Sequence, residues 1–346
     1  MQHPRFIGLA AAVVASLTLH AFAGTIHVPA DQPTIQAGID AAVNGDEVVV
    51  APGTYNEIID TLGKAITVRS SAGAAATTID AAGVPDPGNG TPVVRIDNAE
   101  GPNTVIEGFT ITGGTGDSVL FGTGFGGGMF LHGASPTVRD CTIEDLTANI
   151  GAGVFTFEGT PTFEGCVIRN NATAVNGSGA GMYVFGGGLT MTTCSLSGNT
   201  ADSGSGAIAI DATTSPVVIT ATTFTDNTAL GFSGGAIESN ADGTLLIDRC
   251  VFRGNESQDQ GGAIQVRSGE VSILNSAFID NASPGTEFFS TGGALNIVSE
   301  PALVANCLFA HNSADYRGGA IYAFNEDTRI VNCTLAGNDA FRLEET

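Results

Sequence analysis

A parallel β-solenoid is the fold class this sequence predicts, all-β apart from one short capping helix near the N-terminus. Three observations predict it. A four-residue block closing on an apolar residue recurs eight times, as GGGM at 126, GAGV at 151, GAGM at 179, SGAI at 205, GGAI at 234, GGAI at 261, GGAL at 292 and GGAI at 318. A second block inside each copy runs from Cys, Thr or Ser through an aliphatic residue or Phe to a final Asn, as in FEGCVIRNN and IDRCVFRGN. Finally, 48 glycines and 13 prolines accompany 42% hydrophobic residues, which describes a turn-rich chain with enough apolar content to fold.

Taken from the N-terminus, residues 1–23 place Arg5 ahead of an apolar run from Phe6 to Leu19 and end on the small-x-small triplet Ala21, Phe22, Ala23. This is the pattern of a secretory signal peptide, and the run is shorter than the ~20 residues a spanning helix needs. The sequence therefore predicts an exported protein, secreted or held at the cell surface, with no membrane span after the signal is removed. Loss of Arg5 takes the net charge of −23 to −24. That balance argues against nucleic acid and anionic lipid as partners, because both require a basic face.

Residues 24–115 are expected to form the cap and the first, irregular coils. Asp31 and Pro33 open a short helix of roughly ten residues, with Ile35, Ile39 and Val43 on one face and Asn44-Gly45 as its stop. Strand-like runs then follow in EVVVA, AITVRS, TPVVRID and NTVIEGFTITGG.

Residues 116–346 hold the regular coils, about eight repeats of roughly 27 residues. The closing residues Met129, Val154, Met182, Ile208, Ile237, Ile264, Leu295 and Ile321 are spaced by 25, 28, 26, 29, 27, 31 and 26 positions. Each repeat shows two or three short period-2 strands and no helical period, which is one coil of a solenoid. Alternation from the anchor sends that residue and the one two places on into the interior, and the next-but-one residue before it is Gly or Ala in every copy, as a tight corner requires. The final Asn is present in seven of the eight copies, from Asn171 to Asn338, with Leu146 the exception. Stacked Asn side chains predict a hydrogen-bonded ladder, and the residues just before them, Asp, Asn, Gly or His311, all tolerate positive φ. His311 is accordingly a turn residue. The six cysteines, Cys141, Cys166, Cys194, Cys250, Cys307 and Cys333, share one coil position and are expected as an unbridged interior file. After Asn338 only eight residues remain and no capping helix is expected, so either Phe341 to Thr346 folds over the last coil, or the chain is a fragment, or the exposed strand edges pair with a partner.

The glycine motifs do not mark phosphate sites. GTGFGGG meets G-x-G-x-x-G at Gly122, Gly124 and Gly127, yet Gly133 and Pro136 forbid the helix such a site needs, and Lys64 is the sole lysine.

On these residues the N-terminal block resembles the start of secreted right-handed β-helix proteins of the pectin-lyase-like superfamily. The paired G-G-A-[I/L] and F-x-x-N motifs, the latter literal at Phe224/Asn227, Phe252/Asn255, Phe278/Asn281 and Phe309/Asn312, resemble polymorphic outer-membrane-protein repeats. The likeness covers about residues 25–346. It implies a right-handed helix and, among its enzymes, lysis, hydrolysis, de-esterification or epimerisation of acidic polysaccharides. The elements such enzymes carry, N-T-D, D-D, G-H-G and R-I-K for hydrolysis or D-F-I-F-G for de-esterification, do not occur. Gly53-Thr54-Tyr55-Asn56-Glu57 is similar to the esterase G-x-Y-x-E but is read as a turn near the cap.

Two outward clusters remain. Asp211, Glu238 and Arg267, on three adjacent coils, are the only catalytic candidates, against the ordinary alternative of a solvated sheet face. Phe130 and His132, Phe155 and Phe157, and Tyr183 and Phe185 form two columns on a face that should meet water. Such columns are either a platform for sugar rings or lie beneath the loop from Gly113 to Gly126 with its Val119, Leu120 and Phe121. The sequence thus predicts an exported, noncatalytic adhesin, scaffold or glycan-binding module, with a polysaccharide-active enzyme as the alternative. No organic cofactor is implied; calcium is the one ion the acidic balance admits.

Overall fold

The computed structural model describes residues 23–85, 90–117, 124–285, 290–298, 301–325 and 327–341. The expected signal segment and Val119, Leu120 and Phe121 therefore lie outside the described residues. The rest winds as a parallel β-solenoid whose wall is four sheets of 12, 11, 10 and 8 strands.

One coil shows the plan. Ile237–Asn240 lies in the 10-stranded sheet, Thr244–Asp248 in the 12-stranded, Val251–Arg253 in the 11-stranded and Glu256–Ser257 in the 8-stranded one, before Ile264–Val266 begins the next turn in register with Ile237–Asn240. A full coil thus carries four strands, not two or three. The fourth is only two residues long, too short to show a period.

Each expected interior file is present. Ile237, Ile264 and Leu295 are buried, as are Val266 and Ile297 two places on. Phe224, Phe252, Phe278 and Phe309 stack with ring centroids 4.6, 4.8 and 4.8 Å apart. Identical rings at the strand spacing fill the coil without a gap. The six thiols are free, and in every coil the sulfur faces a carbonyl of the preceding coil at 3.4 to 3.7 Å, for example Cys166 to Val138 and Cys307 to Ile273. Burial pushes the Cys141 thiol up to about 12 and those of Cys250 and Cys307 up to about 11, so these three stay protonated.

The asparagine ladder spans Asn171, Asn199, Asn227, Asn255, Asn281, Asn312 and Asn338. Each Oδ1 accepts from the backbone N–H and the amide of the Asn one coil earlier, as Asn255 does from Asn227 at 3.1 and 2.9 Å. The second amide hydrogen goes to a carbonyl, in that coil Phe224 at 3.0 Å. The backbone N–H of Leu146 donates to Asn171 Oδ1 at 3.2 Å and opens the ladder. All eight residues before this position have positive φ, His311 among them at 56°. A second left-handed corner precedes each cysteine position: Asp140, Gly165, Asn275, Asn306 and Asn332 are of types that tolerate it, whereas Thr193, Ala221 and Arg249 are not.

At the N-terminal end the helix α1 spans Ile35–Ala41, shorter than expected, with Thr34 as its N-cap. Ile35 and Ile39 cover the first coil, whereas Val43 lies past the helix end and is 58% exposed. Glu57, from the esterase-like pentapeptide, accepts from the backbone N–H groups of Ile35 and Gln36 at 2.9 Å each. That carboxylate meets the orphan donors of the first turn, and Lys64 Nζ donates to the carbonyls of Ile39 and Asp40 at the other end. Both residues are helix-capping groups. At the last coil Ile330 and Leu335 are exposed beside a cavity of about 490 Å³.

Candidate functional site

The two aromatic columns stand on the outer side of the 10-stranded sheet. Met129–His132, Val154–Phe157 and Met182–Phe185 pair in register, which sets Phe130, Phe155 and Tyr183 in one column and His132, Phe157 and Phe185 in the other. Centroid separations along the first column are 5.7 and 6.0 Å, and along the second 5.2 and 5.4 Å.

The columns differ in exposure. Phe130 and Phe155 are each 1% exposed, while His132, Phe157, Tyr183 and Phe185 are half-buried. Two described ends of the 113–126 loop account for this. Asp117 holds Arg95 at 2.5 Å and the Arg95 guanidinium lies 5.2 Å from the Phe130 centroid. Phe125 packs edge-on against Phe155 at 4.8 Å. The expected choice between cover and platform therefore divides within the first column: Phe130 and Phe155 are packed beneath neighbours, while Tyr183 and the whole second column line the surface.

Between these rings is a cavity of about 260 Å³, walled by Phe125, Ile150, Phe155, Phe157, Tyr183 and Phe185. It opens beside an irregular pairing. The strand Ala172–Ser178 is seven residues long and its pairing with Thr147–Ile150 shifts register between Ala148 and Ile150, which carries Ile150 outward to form a wall. Sequence reasoning missed Phe125 and Ile150, since neither lies at an anchor-derived position.

The polar candidates adjoin this cavity through Tyr183. Its hydroxyl donates to Asp211 Oδ2 at 2.5 Å, and Asn240 Nδ2 donates to Asp211 Oδ1 at 2.7 Å. Glu238, 8% exposed, accepts from Ser233 Oγ at 2.6 Å and pairs with Arg267 at 3.3 Å. Arg267 also donates to the Phe232 carbonyl and to Gln265 Oε1 at 3.1 Å. Burial raises the Glu238 carboxyl above its ordinary value, opposed by the Ser233 hydrogen bond and Arg267. The Tyr183 phenol is likewise raised, first by burial and then by its bond to Asp211. The structure thus brings Asp211, Glu238 and Arg267 into one network, with Ser233, Asn240 and Tyr183 as members the sequence did not indicate. Both carboxylates are partnered within this group, Asp211 by Tyr183 and Asn240, Glu238 by Ser233 and Arg267.

Among the described residues no group of three or more His, Cys, Asp or Glu is arranged to hold a metal ion, and no helix is long and apolar enough to cross a membrane. A family model described as "Right handed beta helix region" matches residues 37–222 and 190–344. No curated protein matches the chain. Solved structures of similar winding include a mannuronic-acid-specific family 6 polysaccharide lyase from human gut microbiota, 13% identical, with TM-score 0.46 over 90% of this chain and 83% of that one. Another is the catalytic unit of a thermostable GH87 α-1,3-glucanase from Streptomyces thermodiastaticus strain HF3-3, 15% identical, with TM-score 0.39 over 92% and 69%. A pectin methylesterase in complex with a hexasaccharide is 10% identical, with TM-score 0.39 over 94% of each chain.

Proposed function

Because the chain belongs to the family of right-handed β-helix regions, we propose that this helix is an exported, noncatalytic glycan-binding module, working at a cell surface as adhesin or scaffold. The observation that carries the reading is the cavity of about 260 Å³ with four aromatic walls beside Tyr183 and a hydrogen-bonding rim. Its size falls below the ~300–1,000 Å³ of sites that enclose drug-sized ligands, so it suits one sugar ring with an apolar face on the aromatics and hydroxyls toward Asp211 and Asn240. Export rests on the pattern of residues 1–23.

Affinity electrophoresis against soluble polysaccharides tests the reading. Wild-type protein is expected to be retarded by a glycan, equally with and without EDTA, and to release no reducing ends or unsaturated uronates from it. Phe157→Ala and Phe185→Ala, whose rings are half-buried, should abolish retardation with a small change in melting temperature. Phe155→Ala should instead cost stability, about 3–5 kcal/mol, because its ring is packed within the fold. Turnover of the polymer, lost on Asp211→Asn or Glu238→Gln, would overturn the noncatalytic reading in favour of an enzyme.

A further inference from the structure

The same two outward columns carry a second pair of rings five strands away. The register runs from Tyr183 through Ala209, Glu238, Gln265 and Asn296 to Tyr322, so Tyr322 stands in the tenth strand where Tyr183 stands in the fifth. Phe324, two residues on, takes the place of Phe185. The internal geometry repeats as well: centroids are 6.5 Å apart in both pairs, at 11° for Tyr183/Phe185 and 22° for Tyr322/Phe324. Phe324 is 73% exposed and belongs to the outer face, where nothing in the interior files calls for a ring.

Five steps at the ~4.8 Å strand spacing separate the pairs by ~24 Å, several sugar rings in length. Most of the residues between them are polar, Asp211, Asn240 and Arg267 in one column and Glu238, Gln265 and Asn296 in the other, with Ala209 and Val298 the apolar members. Two acids, Asp211 and Glu238, stand against one base, Arg267, which is paired with Glu238. Arg317, which stacks on Tyr316 beside Tyr322, adds one positive charge at the far end. A polyuronate would bring one carboxylate per residue onto a track with no net positive charge, in a chain of net charge −23.

Resting on the glycan-binding reading above, we propose that the ligand is a neutral, extended polysaccharide held at both ends of this track, with Tyr322 and Phe324 as a second aromatic subsite. A chain long enough to bridge both pairs gains by linkage, and a short fragment occupies the cavity at Tyr183/Phe185 alone.

The test compares glucomannan, arabinoxylan and laminarin with polygalacturonate and alginate at low salt, together with disaccharides cut from any neutral polymer that binds. A neutral polymer should bind and the acidic ones should not. Phe324→Ala should weaken polymer binding at least tenfold, leave disaccharide binding unchanged, and keep the wild-type melting temperature; Phe185→Ala should weaken both ligands. Tighter binding of polygalacturonate or alginate overturns the neutral class. Unchanged polymer affinity in Phe324→Ala overturns the second subsite while leaving the cavity reading in place. If wild-type protein binds none of the probes, this proposal and the glycan-binding reading fall together.

Discussion

Asn255→Ala is expected to lower stability by about 3 kcal/mol or more, read as the shift of the urea midpoint. The substitution strands two buried donors, the backbone N–H and the side-chain amide of Asn227, which share Asn255 Oδ1 at 3.1 and 2.9 Å. It also removes the amide that serves the Phe224 carbonyl at 3.0 Å. An unsatisfied buried polar group costs about 1–3 kcal/mol, and no water-accessible route relieves a side chain with no exposed surface. Asn338→Ala is the control, since that residue is half-buried and receives its bonds from one side, from Asn312 at 3.0 and 2.8 Å. In a structure whose coils contact only their neighbours, the cost should fall from the middle of the ladder to its end. Equal losses at Asn255 and Asn338 would show that the ladder contributes little beyond the strands.

Gly262→Val should be at least as damaging. A Cβ on Gly262 would sit 2.1 Å from the Gly293 carbonyl oxygen and 2.5 Å from that of Ala282, both backbone atoms of the next coil. Neither can retreat without opening the stack, so the cost should reach or pass the ~3 kcal/mol upper range for overpacking. The glycine beside it has a different cause: Gly261 holds φ at 63°, so Gly261→Ala strains the backbone at once. Ala152 and Ala180 take the Gly262 position in the coils next to the long strand Ala172–Ser178, which indicates local widening there. A Gly262→Val protein with the wild-type midpoint would refute the close-approach account.

Much of the architecture was legible because coil winding stacks like upon like. The corner before each Asn could be read from Asp, Asn, Gly and His, residues whose chemistry permits a left-handed backbone. The corner before each cysteine gives a weaker signal, because Thr193, Ala221 and Arg249 share it with Asp140, Gly165, Asn275, Asn306 and Asn332. The outward columns followed from strand alternation alone, yet which rings stay accessible depends on Phe125, Ile150 and Asp117, whose positions are set by irregular segments between strands. Tyr322 and Phe324 lie within reach of the same alternation, in the last copy of the repeat.

The register of the 10-stranded sheet makes the distance between its two aromatic pairs a counted quantity. Excising or duplicating one turn between Tyr183 and Tyr322 would reset that gap by a single increment and leave every other bond frame intact. Such a protein is a ruler with fixed graduations, its two aromatic pairs separable only in whole notches.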